Sequence, residues 1–98
     1  MRFIIRAQYP TKAGNEMVKN PNFLKELEEY ISKIKAEAVY FFEAGGDRVT
    51  VFIVDISGAD MMPAIAEPLF QKYHAKVEFH PVMLLADLKK AIQQLGKG

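Results

Sequence analysis

Two histidines, one arginine in mid-strand and a scatter of carboxylates are the side chains of this 98-residue sequence with chemistry to offer. His80 follows Glu78 by two positions, so on an extended strand both side chains leave the same face. An imidazole beside a carboxylate can act as a general base or fix a ligand, which makes His80 the candidate catalytic residue. The structural reading of the same pair is a hydrogen-bonded interface histidine. Arg6 lies at the centre of the first apolar run, alternating with Ile4 and Gln8. A buried arginine must be paired. Its partner is Glu78, a carboxylate of a second copy, or the carboxylate or phosphate of a ligand. Gln8 and Thr50 are further polar groups expected on that face. Tyr40, Tyr9 or His80 would reach any cavity between sheet and helices. The candidate ligand-binding set is therefore Arg6, Gln8, Tyr40, Thr50 and His80. His74 falls between two expected elements and reads as a solvated loop residue.

Other chemistries find no support. The chain has no cysteine, which excludes disulfides, thiolate metal sites and thiol catalysis. Its two histidines stand six positions apart, and Glu43, Asp47 and Asp55 match no metal loop, so no metal site is expected. The segment AGGD is too short for a phosphate loop and no helix follows it. No cofactor is expected. A net charge of +1 sets up no field that would recruit nucleic acid, and the aromatics Tyr9, Tyr40, Phe41, Phe42 and Phe52 read as core. No run approaches the roughly 20 apolar residues of a membrane span, and the start lacks a secretory pattern. The expectation is a soluble, cytoplasmic protein that binds neither membrane nor nucleic acid.

The elements that must position these residues alternate as strand, helix, strand, strand, helix, strand, with one more helix. Strand one runs from Arg2 to Tyr9 and Pro10 ends it. Residues 11–20 are polar around a central glycine and read as a long loop or a frayed helical turn. Asn20-Pro21 reads as a helix start, Asn as cap and Pro at the first position. Leu24, Leu27, Ile31 and Ile34 then form one apolar stripe. AVYFFEA and DRVTVFIVD flank Gly45-Gly46 and predict a tight hairpin, with Phe42 opposite Val49 and Val39 opposite Phe52. Ser57 or Asp60 opens the next helix, and Pro68 should kink or split it. Met61 and Met62 fill core gaps. Strand four is roughly Lys76 to Met83, and Pro81 inside it places this strand at a sheet edge. Leu85, Leu88, Ile92 and Leu95 stripe the last helix, which Gly96 stops.

Both faces of the sheet are apolar. The set Phe3, Ile5, Ala7, Tyr40, Phe42, Val49, Val51, Ile53, Val77 and Phe79 is the more uniform and is expected under the helices. The opposite set is Ile4, Arg6, Gln8, Val39, Phe41, Thr50, Phe52, Val54, Glu78 and His80. Left in water it would expose an apolar patch of several hundred Å², more than soluble monomers usually tolerate. A second copy covers it best, with Phe41, Phe52, Val39 and Ile4 at the interface.

The runs RFIIRAQYP, AVYFFEAGGDRVTVFIVD, IAEPLFQKY and VEFHPVM with its terminal helix give the chain a pattern that resembles the dimeric α/β-barrel superfamily, and within it small bacterial proteins of unassigned function. The resemblance covers nearly the whole chain, residues 1–98. It implies an α+β fold: a ferredoxin-like βαββαβ sandwich with an extra C-terminal helix and an antiparallel sheet in the order 4-1-3-2. It implies a homodimer packed sheet against sheet. The superfamily holds cofactor-free monooxygenases, haem-degrading enzymes, isomerases and ligand sensors, so fold alone does not choose a reaction. The expected function is a homodimeric small-molecule-binding or structural module. The alternative is a cofactor-independent enzyme, monooxygenase- or isomerase-like, acting on a small hydrophobic or aromatic substrate.

Overall fold

A computed structural model describes residues 1–97. Four strands, β1 (Arg2–Tyr9), β2 (Ala38–Ala44), β3 (Asp47–Asp55) and β4 (Lys76–Pro81), form one antiparallel sheet in the order β2-β3-β1-β4. Four helices accompany them: α1 (Thr11–Lys19), α2 (Phe23–Ile34), α3 (Met62–Tyr73) and α4 (Leu85–Gly96). This α+β arrangement has the expected strand order and is compatible with a ferredoxin-like fold. β4 is an edge strand, as Pro81 requires.

The hairpin register is the expected one. Gly45 and Gly46 take φ of 59° and 84°, the paired positive values that a two-residue turn needs, and Ala44 faces Asp47, Phe42 faces Val49 and Val39 faces Phe52. Its orientation on the rest of the sheet is not. β1 pairs with β3 so that Ile5 faces Phe52, Ala7 faces Thr50 and Phe3 faces Val54. Opposed residues share a face. Val39, Phe41, Thr50, Phe52 and Val54 therefore lie on the helix side with Phe3, Ile5, Ala7, Val77 and Phe79. Tyr40, Phe42, Val49, Val51 and Ile53 lie on the open side with Ile4, Arg6, Gln8, Glu78 and His80. The expectation is inverted for the whole hairpin: Phe52, expected at an interface, is fully buried in the core. A one-residue change of phase moves every side chain across the sheet.

The core joins Ile5, Ala7, Tyr9, Phe52 and Val54 of the sheet to Met17 of α1, Leu27 and Ile34 of α2, and Ile65 and Leu69 of α3. Tyr30 ties two helices together: its ring meets Phe52 edge-on at 5.4 Å and its hydroxyl donates to the Ile65 carbonyl at 2.7 Å.

Three local expectations are corrected. Residues 11–19 form a regular helix rather than a long loop or a frayed turn, because Ala13 and Met17 at i,i+4 bury one stripe against the body. The second helix begins at Phe23, not Pro21. The Asn20 side chain accepts from the Asn22 N–H at 2.9 Å, forming a turn that delays the start. The stripe of α2 shifts accordingly, with Phe23 packed inward and Leu24 exposed. A 3-10 turn at Ala59–Met61 leads into α3, which caps with neither Ser57 nor Asp60, and α3 runs unbroken through Pro68. Met61 packs against the core.

Candidate functional site

The expected site residues separate onto two sides of the sheet. On the open side, β4 sets Glu78 opposite Arg6 and His80 opposite Ile4. Arg6 Nη1 lies 3.6 Å from Glu78 Oε2, and His80 Nε2 lies 3.5 Å from the same oxygen. Arg6 also donates to Gln8 Oε1 at 2.8 Å, and Gln8 Nε2 donates to Asp47 Oδ2 at 2.9 Å. The result is a polar band, His80–Glu78–Arg6–Gln8–Asp47, running from the β4 edge to the hairpin. Arg6 and His80 thus converge, with a carboxylate between them. The band is wet in the single chain, the His80 side chain being 58% exposed. Apolar residues border it: Ile4, Val51, Ile53 and Tyr40, the last 62% exposed on β2. Tyr40 therefore shares this side with Arg6 and does not reach the helix layer.

Thr50 lies on the other side, under the helices, and cannot join Arg6. It is 3% exposed and accepts a hydrogen bond from the Tyr9 hydroxyl at 2.9 Å. That pair forms the floor of a cleft of about 400 Å³ between α1, the start of α2 and the hairpin. Met17 and Val18 of α1, Phe23 of α2 and Phe41 of β2 wall it. The helix layer stops short of β2, which leaves Phe41 61% exposed at the cleft's edge. Arg48 stands at its mouth. Its guanidinium donates to Asn15 Oδ1 at 3.2 Å and takes part in none of the ion pairs among the described residues. Gly14 makes room for it: a Cβ there would stand 2.6 Å from Arg48 Nη1.

Burial pushes the Tyr9 phenol above its usual range, against the smaller opposing effect of its bond to Thr50. Tyr9 is thus a neutral hydrogen-bonding group at physiological pH. An apolar cleft of this size with a few convergent polar groups suits a small organic ligand. A guanidinium at the mouth that is bonded to Asn15 but makes no ion pair, even with Glu43 opposite it in register, suits a ligand that carries an anion.

A larger notch, about 650 Å³, opens between the start of α4 and the sheet end. Its charged groups are engaged within the chain, Asp87 included, which accepts from Leu84 N. Arg2 pairs with Glu37 at 2.8 Å, and Asp55 pairs with the Met1 ammonium at 2.8 Å, which holds its carboxyl below the usual range. The notch exists because α4 projects, and its polar groups do not converge on a ligand.

His74 ends α3 in left-handed conformation, exposed, as a connecting residue should be. Among the described residues no group of three or more histidine, aspartate or glutamate side chains gathers as metal ligands would. No helix is long and apolar enough to cross a membrane. The sequence reading missed Arg48 as a site residue. The signal was its even spacing from Thr50 and Phe52, which puts it on their face. No protein-family model, curated protein or solved structure matches the chain.

Proposed function

We propose that this protein is a homodimeric binding module for a small apolar or aromatic molecule bearing an anionic group. The ligand seats in the cleft over Tyr9 and Thr50, with its anion on Arg48. The observation that carries this reading is an arginine free of ion pairs at the mouth of an apolar cleft. Homodimerisation through the open sheet face supports it. That face presents Ile4, Tyr40, Phe42, Val51 and Ile53 around the Arg6–Glu78–His80 band, and a second copy would cover both. The absence of cysteine suits a reducing cytoplasm. Catalysis on the same class of molecule, the other function expected from the sequence, would draw on His80, and His80 lies across the sheet from the cleft.

The test is chemical-shift mapping with a panel of small aromatic carboxylic acids and their neutral amides. Acids should perturb Val18, Phe41 and Thr50, and Arg48→Met should weaken acid binding by about tenfold or more while leaving the amides unchanged. Perturbation confined to Arg6 and His80, or absent with every compound, would overturn the cleft assignment. Light scattering tests the dimer separately: a stable monomer at micromolar concentration would refute it.

A further inference from the structure

The terminal helix is largely uncovered in its own chain. Leu85, Leu88, Ile92 and Leu95 of α4 are 42–79% exposed, and none of its residues is buried. The molecule measures 56 × 28 × 19 Å with a radius of gyration of 16.0 Å, against about 13 Å for a packed chain of this length. The excess is the projecting helix, about 18 Å long. It follows β4 after a short connection. Val82 N donates to the Arg2 carbonyl at 3.0 Å, tying the chain to β1, and Leu84 N donates to Asp87 Oδ2 at 2.9 Å, capping α4 itself. α4 stands clear of the sheet.

The stripe has a narrow form. Its residues step by three, four and three positions, the seam by which one helix packs into another of equal spacing. Ile92 and Leu85 alternate with Leu88 and Leu95, and the small Ala91 flanks the seam. The apolar stripes of α2 and α3 are turned into the core and offer no such groove. Three turns of seam are too short to pair alone, and joining them to a dimer raises their effective concentration. The area argues the same way. The open face exposes Tyr40 and Phe42, and Met83, Leu84 and the four stripe residues of α4 add six more exposed large apolar side chains, which takes the uncovered apolar surface beyond the roughly 300–600 Å² usual for a monomer and towards the scale of a dimer interface.

We propose that α4 pairs seam to seam with α4 of a second copy of this chain, extending the sheet-to-sheet dimer on which this inference rests. The experiment exploits the absence of native cysteine. Leu88→Cys and Ile92→Cys, oxidised singly and as an equimolar mixture, should give covalent dimers. Parallel helices crosslink the single variants, and antiparallel helices crosslink the mixture. Lys90→Cys, on the far side of the helix, should remain uncrosslinked. Leu88→Glu should weaken self-association at least tenfold in sedimentation while leaving the strand signals of the circular dichroism spectrum unchanged. A dimeric wild type with no seam crosslink and with Leu88→Glu indifferent would overturn the α4 pairing and leave the sheet dimer standing. A monomeric wild type would overturn both.

Discussion

The Tyr9 hydroxyl donates to Thr50 Oγ1 across 2.9 Å, and both residues are almost wholly buried. The pair joins the end of β1 to the middle of β3 and closes the floor of the cleft. Tyr9→Phe removes the donor and leaves the threonine hydroxyl buried without it. The expected cost is about 1–2 kcal/mol in urea unfolding. Thr50→Val should cost a similar amount, and the double variant less than the sum of the two.

Phe52 and Phe42 sit on opposite sides of the sheet and should respond differently to truncation. Phe52→Ala opens a cavity in the core and is expected to cost about 3–5 kcal/mol in unfolding free energy. Phe42→Ala removes half-exposed surface. It should leave unfolding of the dilute protein nearly unchanged and weaken self-association, as sedimentation would show. Equal destabilisation by the two would contradict the observed facing of the hairpin.

Gly14→Ala separates stability from recognition. Alanine favours the helix by up to about 1 kcal/mol, yet the new Cβ would press on the Arg48 guanidinium. The arginine must leave its place beside Asn15. The thermal midpoint is expected to hold or rise, while affinity for an aromatic acid falls and that for the neutral amide stays. Titration calorimetry with the two ligands checks this.

The phenols of Tyr9, Tyr30 and Tyr73 are all pushed above their usual range, chiefly by burial. The unfolded chain releases these protons near pH 10, and the folded chain only at higher pH. Across that interval the folded state holds more protons, so stability is full below about pH 10 and declines as pH rises further. Urea midpoints measured from about pH 8 to about pH 11 should be flat and then fall. Tyr30→Phe should reduce the fall.

Lys35 and His74 close α2 and α3 in left-handed backbone conformation, at φ of 56° and 53°. Glycine occupies such positions without steric cost. Lys35→Gly and His74→Gly should each raise stability by about 0.5–1 kcal/mol, additively because the sites are independent. Thermal unfolding of the two variants and their combination measures it.

The hairpin and the strand order were legible because local rules fix them. Gly45-Gly46 dictates the turn, and Pro81 excludes β4 from the sheet interior. The facing of the hairpin was not legible, because Tyr40 and Phe42 on one side are as apolar as Val39 and Phe52 on the other. Only the pairing of Ile5 with Phe52, remote in sequence, decides it. The convergence of Arg6 and His80 followed from strand parity on β1 and β4, which hold only one phase each. Thr50 and Arg48 inherited the hairpin's ambiguity, and the cleft went unseen with them. α1 escaped notice for another reason: its buried set is only Ala13, Gly14 and Met17, too small to stand out from a polar segment.

The order β2-β3-β1-β4 also shapes how the chain finds its fold. β1 pairs only with β3 and β4, so its nearest partner lies some forty residues further along. β2 and β3 meet across two glycines and can zip at once. During synthesis Phe3, Ile4 and Ile5 must emerge and wait while α1, α2 and the hairpin are made. β1 is thus made well before either of its partners and satisfied late, and closing that loop, rather than the quick hairpin, is the step expected to be slow.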